Sequence, residues 1–109
     1  MIKITASRKN GKIVNLTVKG HANSAPKGED LVCAAVSSIL VGGCNALSQP
    51  NCFAIKLDSG DASITEKSIA NKHDYEVLET MMIQFKTIEE SNAKFLQIIE
   101  KGNELCYLN

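Results

Sequence analysis

The chain has 109 residues, with twelve Lys plus Arg against twelve Asp plus Glu and a hydrophobic fraction of 44%. That length predicts a single domain over 1–109 that buries roughly 65% of its unfolded surface without disulfides or a structural metal. The hydrophobic fraction excludes intrinsic disorder, and the even charge balance removes the simplest electrostatic case for nucleic-acid binding while leaving room for a local patch.

Met1–Ser7 and Lys12–Lys19 are β-rich runs joined by Arg8-Lys9-Asn10-Gly11, and Asn-Gly is the strongest short-range hairpin signal. In the second run Val14, Leu16 and Val18 alternate with Asn15, Thr17 and Lys19, which predicts one buried face and one wet face. Gly20–Glu29 is rich in Gly, Pro, Asn and Ser and reads as an exposed loop. A helix is expected from about Asp30, its N-cap, to Leu47, apolar over most of its surface. Within it Gly42-Gly43 costs roughly 1 kcal/mol per Gly relative to Ala, so the pair points to a bend or a close backbone approach. Gln49-Pro50-Asn51 ends that helix. Cys52–Asp58 alternates Phe53, Ile55 and Leu57 with Ala54, Lys56 and Asp58, a half-buried strand. Ser59-Gly60-Asp61 turns the chain into Ala62–Ser68, with Ala62, Ile64 and Glu66 on one face. Tyr75, Leu78, Met81, Met82, Phe85 and Ile88 mark a core-facing helix over His73–Asn92, and Phe95–Ile99 reads as a last strand. The order ββαββαβ predicts an α+β fold in two layers, a largely antiparallel sheet packed against two helices.

Met1 leads straight into Ile2-Lys3-Ile4-Thr5, with no charged segment ahead of an apolar one, so no export signal is expected. Leu31–Leu47 is too broken by polar residues and Gly to supply the ~20 apolar residues of a membrane span. The expectation is a cytoplasmic chain with no membrane partner, whose cysteines are thiols. Cys33, Cys44, Cys52 and Cys106 contain no C-x-x-C pair, and the histidines are His21 and His73, so neither a metal nor another cofactor is expected.

The feature with chemical content is His21, after a strand, and Cys33, in the first turn of a helix. Unpaired N–H groups and the positive end of the helix dipole gather at that turn and favour a thiolate. A His beside it can accept the thiol proton and later protonate a leaving amine, while the free N–H groups hold an oxyanion. Ser37 falls on the same helical face. Spacing alone favours the blander reading, since a Cys near a helix start is more often a small buried hydrophobe. On that reading Cys44 and Cys52 are core thiols, His73 is solvated and Asp30 is a cap.

Gly20-His21-Ala22 followed by Gly28-Glu29-Asp30-Leu31-Val32-Cys33-Ala34-Ala35-Val36-Ser37 closely resembles the signature of the ribosomal-processing cysteine proteases, the Prp family. The resemblance covers the chain and includes the His-to-Cys spacing. It implies a cytosolic cysteine endopeptidase that removes the N-terminal extension from the precursor of large-subunit ribosomal protein twenty-seven, cutting after aromatic residues. It implies Cys33 as nucleophile and His21 as general base, with Gly20, Asp30 and Ser37 supporting the site, and it implies a homodimer. Asn23 and Asp30 both remain open as the group that orients His21. The segment Ala22-Asn23-Ser24-Ala25-Pro26-Lys27 departs from a family that often carries an aromatic residue there. Two rival readings stand beside this one: a non-catalytic ribosome-assembly or RNA-binding module of the same fold, and a thiol redox sensor.

Overall fold

Asn10 and Gly11 take positive φ values of 54° and 77°, the geometry a two-residue hairpin needs, and join β1 (Ile2–Lys9) to β2 (Lys12–Lys19). A computed structural model describes residues 1–23, 25–26 and 30–102, so Cys106 and the last residues of the tail lie outside it. After β2 come α1 (Leu31–Ala46), a 3-10 turn (Pro50–Cys52), β3 (Phe53–Asp58), β4 (Asp61–Glu66), α2 (Lys72–Ser91) and β5 (Leu96–Gly102). The strands form one sheet in the order β3-β4-β2-β1-β5. Every pairing is antiparallel except that of β1 with β5. The α+β expectation holds, with the last strand entering parallel to the first.

The buried face of the sheet is made by Ile2, Ile4 and Ala6, by Leu16 and Val18, by Ala62 and Ile64, and by Leu96. Val32, Val36 and Leu40 of α1 and Tyr75, Leu78, Met81, Met82 and Phe85 of α2 close over it. The helices pack against each other at Gly43, where an added Cβ would lie 2.2 Å from Met81 Sδ. Gly43 is therefore the close approach of the Gly pair, whereas a Cβ on Gly42 would meet nothing within 4 Å.

Two strand expectations are corrected. In β2 the register against β1 slips between Ser7 and Arg8, with Ser7 opposite Asn15 and Arg8 opposite Ile13. Val14 is the extra residue of that bulge, so the inward face passes from Leu16 to Ile13, which is fully buried, and Val14 is left half-buried. In β3 only Phe53, whose ring meets Tyr75 of α2, is buried; Ile55 and Leu57 are exposed on what is an edge strand of the sheet. Cys44 and Cys52 are half-buried and pack against the core from its margin.

One buried charge fixes where α1 ends. Asp74, on the first turn of α2, is 0% exposed. Its carboxylate accepts from the Ser48 N–H at 2.8 Å, the Ser48 hydroxyl at 3.0 Å and the Gln49 N–H at 2.7 Å, and sits 2.8 Å from His73 Nδ1. The chain leaving α1 is thus tied to the start of α2. Burial pushes this carboxyl up, but the donors of Ser48, His73 and Gln49 outweigh it and hold its pKa at about 2.

Candidate active site

Asp30 caps α1 as its residue type predicts, its Oδ1 accepting the Cys33 N–H at 3.0 Å. Cys33 is therefore the third residue of the helix, half-buried, with its sulfur at the end where free N–H groups point outward. The incoming chain is fastened to that sulfur, because the Ala22 N–H donates to Cys33 Sγ at 3.4 Å. This contact brings the segment carrying His21 onto the first turn of α1.

Gly20 makes the bend possible. It has φ +92°, and a Cβ there would lie 2.4 Å from the Met1 carbonyl oxygen, so another residue would be both strained and obstructed. Asn23, at φ 55°, takes a second left-handed position that Asn tolerates. Ser24 and residues 27–29, Gly28 among them, lie outside the described residues.

His21, Asn23, Asp30, Cys33 and Ser37 line one cleft of about 600 Å³. A second hollow of about 120 Å³ opens beside it, also touched by His21, Cys33 and Ser37, with Val18, Val36, Leu40 and Ala62 as an apolar floor. The structure therefore brings His21, Cys33, Asp30 and Ser37 to one place, and Gly20 shapes the approach to it. It does not bring His73, which lies at the far end of α1 beside Asp74. Among the described residues no three His, Cys, Asp or Glu side chains gather to hold a metal ion, and no helix is long and apolar enough to cross a membrane.

Sequence reasoning missed the β3–β4 turn. Asp58, Ser59, Gly60 and Asp61 form one wall of the smaller hollow, and His21 lies against Gly60. Asp61 pairs with Lys19 and with Lys56, and these two hydrogen bonds hold its carboxyl at about 2. The sequence marks Ser59-Gly60-Asp61 as a turn, but which loop it meets depends on β2 pairing with β4 across more than forty residues.

A thiol on a helix N-terminus with an imidazole in the same cleft is the equipment of a cysteine protease, and comparison with known proteins gives that class a family. The model of the family described as "Cysteine protease Prp" matches residues 1–97. The ribosomal processing cysteine protease Prp of Mycoplasma pneumoniae is 33% identical over 111 residues, covering 95% of this chain and 99% of its own length. The crystal structure of an essential ribosomal processing protease Prp from Staphylococcus aureus, in complex with a covalently linked product peptide, superposes with a TM-score of 0.83 at 28% identity, covering 93% of this chain and all of that one. The same S. aureus protease in complex with a substrate peptide gives a TM-score of 0.77 at 27% identity, with 93% and 100% coverage. The chain belongs to the cysteine protease Prp family.

Proposed function

We propose that Cys33 and His21 are the nucleophile and general base of an endopeptidase that trims the N-terminal extension from a ribosomal-protein precursor. The observation that carries this reading is the seating of Cys33 Sγ on the first turn of α1, with the Ala22 N–H directed at it and His21 in the same cleft. A donor aimed at the sulfur complements negative charge there, as does the helix terminus.

The steps follow from these positions. Cys33 Sγ attacks the scissile carbonyl carbon while His21 takes the thiol proton. Oxygen becomes negative in the tetrahedral intermediate, and outward-pointing N–H groups of the helix start stabilise it. His21 returns its proton to the departing amine, leaving an acyl thioester on Cys33. Water, deprotonated by His21, then releases the acid and restores the thiol. Asp30 supports the site by fixing the turn that carries Cys33, Gly20 by permitting the bend into His21, and Ser37 by lining both hollows.

The substrate is the precursor of large-subunit ribosomal protein twenty-seven, cut after an aromatic residue in the cytoplasm. The apolar floor of Val18, Val36, Leu40 and Ala62 supports an aromatic side chain beside the scissile bond. Relatives named for ribosomal processing, one of them solved both with a substrate peptide and with a covalently linked product peptide, support a peptide substrate and a covalent route. The working unit is a homodimer that requires neither direct nucleic-acid contact nor a membrane. Exposed Val41, Ile55 and Leu57 supply apolar surface for such a contact.

Two synthetic peptides test the specificity. One carries the precursor extension ending in Phe-Phe, and the other has Ala-Ala there. The expected result is cleavage of the first and loss of at least about tenfold in kcat/KM for the second, since an emptied apolar pocket loses roughly 1–3 kcal/mol. Equal cleavage of both would overturn the aromatic requirement.

A further inference from the structure

Catalytic histidines are commonly oriented by a third side chain that accepts a hydrogen bond from the ring. Among the described residues, none hydrogen-bonds the His21 imidazole. Asp30, one of the two candidates from the sequence, gives its Oδ1 to the cap of α1. What the ring does meet is Gly60. A Cβ built on Gly60 would lie 2.5 Å from His21 Nε2, 3.0 Å from Cε1 and 3.3 Å from Cδ2, so one whole edge of the imidazole rests where a side chain would otherwise be.

The turn bearing Gly60 is fastened to the strand that delivers His21. The Gly20 N–H donates to the Gly60 carbonyl at 2.9 Å, one residue before His21. Lys19 stands opposite Asp61 at the last pair of the β2–β4 ladder, and their side chains form an ion pair. Lys56 of β3 pairs with the other oxygen of the same carboxylate, so Asp61 joins three strands at the root of the turn.

We propose that the β3–β4 turn is the orienting element of the catalytic histidine, with Gly60 as a positioning residue whose bare backbone forms the seat of the His21 ring. The seat works by shape: the ring packs on the glycine, and the turn is held in place by the Gly20–Gly60 hydrogen bond and the Lys19–Asp61–Lys56 cluster. It follows that Gly60 is required on two counts, its φ of +70° and the space its missing side chain leaves for the ring. The inference rests on His21 being the general base, and it names what sets that base's position.

The test begins on the wild-type protein without substrate. A nuclear Overhauser contact between the His21 ring protons and the Gly60 α-protons is expected, and its absence would overturn the proposal. Gly60→Ala is then compared with Gly11→Ala, which carries a similar positive φ of 77° in a hairpin far from the site. Gly60→Ala is expected to lower kcat by roughly 10–100-fold with KM within about twofold, since a displacement near 1 Å costs on that order. Alkylation of Cys33, followed on its own peptide by mass spectrometry, is expected to slow in parallel, while Gly11→Ala leaves both rates unchanged. Native kcat and native alkylation in a folded Gly60→Ala would overturn the proposal. Should that variant not fold, Asp61→Asn keeps the glycine and loosens the turn; a weakened ring contact and a severalfold lower kcat are expected, and neither changing would contradict the seat. The ring contact and the alkylation rate are read without cleavage, so they judge the seat separately from the protease reading.

Discussion

Around Cys33 three local facts act together: Asp30 closes the helix start, the Ala22 N–H reaches the sulfur, and His21 shares the cleft. Removing the cap tests how far the first turn matters. Asp30→Ala is expected to cost about 1 kcal/mol of stability and to lower kcat, whereas Asp30→Asn keeps a capping oxygen and restores most of the stability. Thermal melting and initial rates on the two variants check this, and equal melting of both would contradict the cap. At the other end of α1, the Asp74 carboxyl sits at about 2 in the folded chain, against an ordinary value of about 3.9. Its folded pKa lies below the unfolded one, so its contribution to stability is complete above the ordinary carboxylate range and is lost as pH falls from about 4 towards 2. Asp74→Asn should therefore destabilise the protein at pH 7 by roughly 2–3 kcal/mol, because charged hydrogen bonds to Ser48 and Gln49 are weakened, and should flatten this acid limb. Denaturant titrations at pH 7 and pH 3 measure it; an unchanged acid limb in the variant would exclude the role.

At the scale of elements, the Gly42-Gly43 step separates two glycines that the sequence treats alike. A methyl on Gly43 would press on Met81, whose side chain is itself buried, at a cost of about 1–3 kcal/mol. A methyl on Gly42 meets open space and gains up to about 1 kcal/mol of helix propensity. Melting of the two Ala variants is expected to move in opposite directions, and a joint rise would contradict the close packing of α1 on α2. Both helices, the Asp30 cap of the first and the Asn-Gly hairpin were legible in the sequence because they depend on periodicity and local turn chemistry. The reach of β5 and the bulge at Val14 were not, because they depend on which strand lies alongside: β5 pairs with β1 as far as Gly102, and one extra residue moves the inward face of β2 onto Ile13. Ile55 and Leu57 carry the alternation of a half-buried strand, yet sequence alone does not say that β3 is an edge. For the candidate site, the Asp30 cap and the place of Cys33 in the first turn were legible from helix-start chemistry. The pairing of His21 with Cys33 was expected from the family resemblance, since spacing alone favoured the blander reading. The seat on Gly60 was not, because it needs the β2–β4 pairing.

Across the molecule, ion pairs among the described residues tie separate elements together. Arg8 holds Glu79 at 2.7 and 2.8 Å and Glu100 at 2.8 Å, tying β1 to α2 and β5, and Lys86 closes on Glu100. These carboxylates, Glu79 first, raise the Arg8 pKa further, so its guanidinium stays charged. Apolar side chains are also left at the surface, with Val41 49% and Leu57 45% exposed. Sedimentation equilibrium is expected to give twice the chain mass, with Val41→Lys plus Leu57→Lys shifting it towards the monomer. A wild-type monomer at micromolar concentration would contradict the dimer. The central claim is that this small fold cuts a ribosomal-protein precursor through Cys33. The most direct measurement is the intact mass of that precursor after incubation, under reducing conditions, with the wild-type chain and with Cys33→Ala. The account predicts a precursor shortened by its N-terminal extension in the first case and full length in the second; a full-length precursor in both, or equal cleavage in both, would contradict it.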